Sequence, residues 1–231
     1  MNRYFIILLL LTGLACSSVR YYSHQPDVLS WEGDIRQFEH LDSVETYPSN
    51  AILFVGSSSI RLWSTLAVDM APYPVIHRGY GGARLSDLAV YAERIIYPHE
   101  FRAVVMFIAN DISGSEQDKS PAEVAKLFNN VLRTIRKKYP NTPVFWIAIT
   151  PTASRWSVWP KIREANQLIK ESCLKHKNTY FVTTDYAFLN SSGMPREELF
   201  QTDQLHLNAD GYAVWTKLLR KEVDTVLRSQ N

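Results

Sequence analysis

The sequence has too few cysteines for a disulfide framework: two in 231 residues, Cys16 at the end of an apolar N-terminal run and Cys173 inside a helical pattern. It has almost no charge excess, 25 Lys+Arg against 23 Asp+Glu for a net +2, and no long run of either sign. That excludes the electrostatic footprint of a nucleic-acid binder or of a protein held to anionic lipid by its own charge. No apolar stretch is long enough to span about 30 Å of hydrocarbon as a permanent helix. No complete phosphate-binding fingerprint is present either, because in HRGYGGAR the last position of GxGxxG is Arg84, and no Walker-type segment occurs. Internal repeats, low-complexity tracts and linker-like boundaries are absent. What is there, 46% hydrophobic and 21% charged residues, is the composition of one folded domain with a large core.

The N-terminus carries a positive residue (Arg3), an apolar run from Tyr4 to Leu11 and a small-residue exit (Gly13, Ala15), the three parts of a secretory signal. Ala15-Cys16-Ser17-Ser18 resembles a bacterial lipoprotein cleavage site, with Gly13 where that pattern prefers Leu. Residues 1–15 are therefore expected to be a signal peptide and Cys16 the lipidated first residue of the mature chain. Residues 16–30 would form a polar tether, and 31–231 a single domain. Export and a membrane contact made only through the lipid anchor follow; the plainer alternative is a cleaved signal with an incidental cysteine.

After a helix expected around Asp34 to Thr46, five short apolar segments recur: Ala51–Val55, Pro74–His77, Ala103–Ile108, Val144–Ile149 and Tyr180–Thr183. AVVMFIA and VFWIAI are continuous apolar runs, as in parallel strands covered on both faces. Between them lie helical stripes: Leu85, Leu88, Ala92 and Ile95; Val124, Leu127, Phe128, Val131, Leu132 and Ile135; Ile162, Ala165, Ile169 and Cys173; and Tyr212, Trp215, Leu219, Val223 and Val226. Ser120-Pro121-Ala122-Glu123 reads as a capping box with proline at the first helical position. Alternating strands and helices with right-handed crossovers make an α/β, doubly wound parallel sheet, whose ligand crevice lies at the carboxyl ends of the strands.

Four clusters fall at those ends or before the last helix: Gly56-Ser57-Ser58-Ser59, His77-Arg78-Gly79-Tyr80-Gly81-Gly82, Asn110-Asp111 and Asp203-Gln204-Leu205-His206. Singly, each is ordinary: serines cap helices, glycines turn, Asn-Asp closes loops, and most of six histidines pack or face solvent. Together they supply a hydroxyl nucleophile, a proton acceptor, a carboxylate to orient it, and amide donors for a developing oxyanion.

In their order and spacing these clusters resemble the SGNH (GDSL-type) hydrolase superfamily from about Ala51 to Trp215. Gly56-Ser57-Ser58 stands at the family's GDS block, with Ser57 in place of Asp, which implies Ser58 as nucleophile. HRGYGGARLSDL matches the second block, with His77 where Asn is frequent, and implies Gly82 as an oxyanion donor beside the N–H of Ser58. Ile108-Ala109-Asn110-Asp111 matches GxND without its glycine and implies Asn110 as the oxyanion-hole side chain. Asp203-Gln204-Leu205-His206 matches DxxH, implying Asp203 and His206 as the rest of the triad. FVGSSSIRLW, ITPTASRW and QLHLNADGY look like an exported bacterial subgroup of lipases and acylhydrolases.

The resemblance implies a three-layer α/β/α, flavodoxin-like fold with a five-stranded parallel sheet, and ester cleavage through an acyl-enzyme without metal or cofactor. The acyl donor stays open between a short-acyl ester, such as an acetylated glycan, and lipid acyl groups in lysophospholipase- or thioesterase-like reactions. Non-catalytic binding on the same fold is a further alternative. The loop Thr150 to Pro160 carries Arg155, Trp156 and Trp159, residues suited to a sugar-facing rim. That rim tilts the expectation toward short-acyl carbohydrate esters.

Overall fold

The structure, a computed structural model, describes residues 19–229. The signal-like segment and Cys16 lie outside the described residues.

Five strands, β1 (Ile52–Gly56), β2 (Val75–Gly79), β3 (Ala103–Phe107), β4 (Val144–Ile147) and β5 (Thr179–Val182), form one all-parallel sheet in the order β2-β1-β3-β4-β5. Helices cover both faces, giving the three-layer, flavodoxin-like architecture. They are α1 (Pro26–Leu29), α2 (Glu32–Val44), α3 (Ser58–Arg61), α4 (Leu66–Asp69), α5 (Leu85–Ile96), α6 (Pro121–Lys138), α7 (Trp159–Lys175) and α8 (Ala209–Arg228). The pleat sorts each apolar run between two cores. Leu53, Val55, Val104, Met106 and Trp146 point toward the stripes of α5, α6 and α7. Ile52, Phe54, Val105, Phe107 and Phe145 point toward α3, α4 and α8.

Boundaries move where tertiary contacts intervene. The fourth apolar run was expected to reach Ile149, but the strand stops at Ile147. Ile149 donates its N–H to Asn166 Oδ1 at 2.8 Å and accepts from Asn166 Nδ2 at 2.9 Å, so a side chain of α7 replaces the sheet ladder there. The first helix of the expected pattern lies two residues earlier, at Glu32–Val44. Its Asp42 meets the buried guanidinium of Arg78 on β2 at 2.5 Å. Only half of the Ser120 capping box forms. Ser120 Oγ accepts from the Glu123 N–H, while the Glu123 carboxylate accepts the Tyr22 hydroxyl instead of turning back. Among the described residues no helix is long and apolar enough to cross a membrane.

Candidate active site

β1 ends at Gly56 and the chain turns at once into the single helical turn of α3, whose first residue is Ser58. The approach is close. A Cβ on Gly56 would sit 2.2 Å from the Phe107 carbonyl oxygen, and the Ser57 N–H donates to that same oxygen at 3.0 Å. Ser57 is buried at the N-cap of α3. The first N–H groups of a helical turn lack intrahelical acceptors, and the Ser58 N–H is one of these. From α8, buried Tyr212 donates its hydroxyl to the Ser59 carbonyl at 2.8 Å, clamping the turn from the other side.

Asp203 and His206 arrive on the loop before α8. Asp203 Oδ1 accepts the backbone N–H groups of Leu205 (2.9 Å) and His206 (3.0 Å), and its Oδ2 accepts from His206 Nδ1 at 2.6 Å. Gln204 between them takes a positive φ of 54°, which closes the turn. Burial pushes the Asp203 pKa up, but the hydrogen bonds from the His206 ring and from two backbone amides outweigh it and hold the carboxylate at about 2. With Nδ1 protonated toward Asp203, His206 Nε2 is the acceptor and lies 2.9 Å from Ser58 Oγ. The relay Asp203–His206–Ser58 spans 148 positions of sequence.

Ser58 and His206 open on a small pocket that Asn110, Arg155, Thr150, Thr152, Phe107 and Trp215 also line. Asn110 lies just past the end of β3. Its Nδ2 donates to the Ala83 carbonyl at 3.0 Å, and its Oδ1 accepts from Arg155 Nη2 at 2.6 Å. Its neighbour Asp111 is buried and structural, accepting the first N–H of α5 from Leu85 at 2.8 Å and facing Lys119 Nζ at 3.3 Å. His77 turns its Nε2–H to the Ile60 carbonyl at 2.6 Å, bracing α3 against β2.

Gly82 sits at a positive φ of 76° beside a separate cleft with Trp31, Arg84, Asp87 and Gln117, and is not among the residues lining the Ser58 pocket. Of the three residues expected at a substrate rim, one borders this pocket. Arg155 lines it, but Trp159 is buried in the core and Trp156 packs against that core. Their rings stack at 6.1 Å and 11°, because large aromatic surfaces are better removed from water than displayed. Thr150 and Thr152, at the carboxyl end of β4, and Trp215 on α8 were not singled out from sequence; the position of Thr150-Pro151-Thr152 after a buried strand was the available signal. Among the described residues no group of three His, Cys, Asp or Glu side chains is placed to hold a metal ion.

A model of the GDSL-like lipase/acylhydrolase family matches residues 54–214. No curated protein matches the sequence significantly. Several solved structures share the fold. A Streptococcus pneumonia protein described in terms of platelet activating factor superposes with a TM-score of 0.73 at 19% identity, covering 94% of this chain and 98% of its own. A GDSL-like lipase from Bacteroides thetaiotaomicron gives 0.68 at 13% identity, with 83% and 98% covered. A variant of an acetyl-xylooligosaccharide esterase from Geobacillus Stearmophilus gives 0.61 at 13% identity, with 75% and 94% covered.

Proposed function

The chain belongs to the GDSL-like lipase/acylhydrolase family, and on that premise we propose that it is a serine esterase removing a short acyl group, acetyl above all, from a carbohydrate ester. The observation that carries this is the unbroken Asp203–His206–Ser58 relay, with contacts of 2.6 and 2.9 Å. As Ser58 Oγ attacks the ester carbonyl carbon, its proton passes to His206 Nε2. Asp203 stays ionised and stabilises the imidazolium. The N–H of Ser58 and the Asn110 amide take the oxyanion. Collapse of the tetrahedral intermediate restores the carbonyl and breaks the bond from its carbon to the alcohol oxygen, and His206 protonates the departing alcohol. Water then attacks the acyl-enzyme with His206 as base, releasing the acid and restoring the Ser58 hydroxyl.

The size of the pocket supports a short acyl group. About 20 Å³ of it is open to the centre of a water-sized group, so it is narrow beside Ser58. The carbohydrate alcohol is supported by the fold shared with an acetyl-xylooligosaccharide esterase. A serine-directed fluorophosphonate should form one adduct, mapped to Ser58, and Ser58→Ala should abolish both that adduct and hydrolysis of a chromogenic acetate ester. An adduct on Ser57 or Ser59 would refute the assignment.

A further inference from the structure

Arg155 is a mostly buried cation with no carboxylate within ion-pairing distance among the described residues. Its guanidinium instead donates to two oxygens, the Ala109 carbonyl and Asn110 Oδ1, each at 2.6 Å. A guanidinium can only donate, so the Asn110 atom facing it must be the oxygen; a carbonyl can only accept, so the atom facing Ala83 must be the nitrogen. The amide is thus locked from both sides against a flip. One of the two Nδ2 hydrogens goes to Ala83, which leaves the other for the pocket Asn110 shares with Ser58.

The segment carrying Arg155 is also tied to the triad. It is a short 3-10 turn, Ala153–Val158, and the Ser154 N–H donates at 3.3 Å to the carbonyl of Gln204, the residue after Asp203. The side of the pocket that would hold the oxyanion is thereby fixed to the loop that holds the histidine. A cation against the amide oxygen further polarises the N–H groups opposite, strengthening them toward a developing negative charge.

We propose that Arg155 is a positioning residue that orients and polarises the Asn110 amide for oxyanion stabilisation, and is not a substrate-binding group. The proposal rests on the serine-esterase reading of the same pocket. It makes the two residues one unit, so their losses must not multiply.

The test compares wild type, Arg155→Met, Arg155→Lys, Asn110→Ala and the Arg155→Met/Asn110→Ala double variant. Each is assayed for kcat and KM on a chromogenic acetate ester, for its rate of labelling by a fluorophosphonate, and for its melting temperature. Asn110→Ala should lower kcat by about 10² to 10³, and Arg155→Met by a fraction of that, about 10- to 100-fold, with KM little changed. On the Asn110→Ala background, Arg155→Met should cost no more than about twofold further. Arg155→Lys, which keeps the charge and a donor but not the fork, should recover part of the loss and serves as the folded control if the Met variant melts early. Labelling rates should follow the same order. Multiplicative losses, a rise in KM at constant kcat, or wild-type rates in Arg155→Met would overturn the proposal. Hydrolysis and labelling that survive Ser58→Ala would instead overturn the serine reading, and the role of Arg155 with it.

Discussion

Replacing Gly56 by alanine tests whether the site's precision comes from backbone contact between β1 and β3. The added Cβ would lie 2.2 Å from the Phe107 carbonyl oxygen and 2.7 Å from Ile60 Cγ1. An ordinary carbon–oxygen contact is about 3.3 Å, so roughly 1 Å of movement is required, and the nearer obstacle is backbone in the middle of a buried sheet. The same carbonyl accepts the Ser57 N–H at 3.0 Å, so moving it loosens the residue that sets the start of α3. Overpacking of this kind costs about 1–3 kcal/mol. At about 2–4 °C per kcal/mol for a chain of this size, the melting temperature should fall by roughly 2 to 12 °C. Ser58 would shift against a His206 fixed on a different element, and a 1 Å misplacement at a reacting centre costs on the order of 10² in rate. Gly33→Ala in α2 is the control, because nothing lies within 4 Å of its Cβ position and alanine is the better helix former by about 1 kcal/mol. Thermal melts and acetate-ester hydrolysis report both quantities. A Gly56→Ala protein with activity within about threefold of wild type and an unchanged melting temperature would refute the claim that this contact positions Ser58.

His206→Ala should reduce kcat about as much as Ser58→Ala, since triad members act as a unit, and the double variant should lose no more; steady-state kinetics on the three proteins decides it. Activity should fall from acetyl to octanoyl esters, and a steady rise along that series would replace the short-acyl reading by a lipid one. Burial, reinforced by the charge of Asp111, raises the Asp87 carboxyl to about 6, from an ordinary value near 3.8. Between about pH 4 and pH 6 the folded protein then holds a proton that the unfolded chain has released. Its contribution to stability is complete below pH 4 and declines as pH rises through 6, by about 3 kcal/mol at most. Urea denaturation at pH 4, 5 and 7 should show that slope in wild type and lose it in Asp87→Asn; equal slopes would assign it elsewhere. Metabolic labelling with a fatty-acid analogue should mark the wild-type chain and not Cys16→Ser, and equal labelling would end the lipoprotein proposal.

The period of the apolar residues was enough to read the layers. Helical stripes such as Val124 to Ile135 and continuous strands such as Ala103–Phe107 are local patterns, and burial follows them because water exclusion acts on each element alike. The short spacings were legible for the same reason. Only two residues separate Asp203 from His206, so one turn with its own backbone hydrogen bonds is all their pairing needs. Tertiary structure decided everything that joins distant segments. It placed Ser58 within 2.9 Å of His206, joined Arg155 to Asn110, and packed Trp156 and Trp159 on the core. Sequence could list a tryptophan or an arginine beside the crevice, but not the partner that would satisfy it. That choice belongs to side chains that meet only once the sheet has brought the ends of β1, β3 and β4 together, where a donor left without an acceptor would cost more than any local preference.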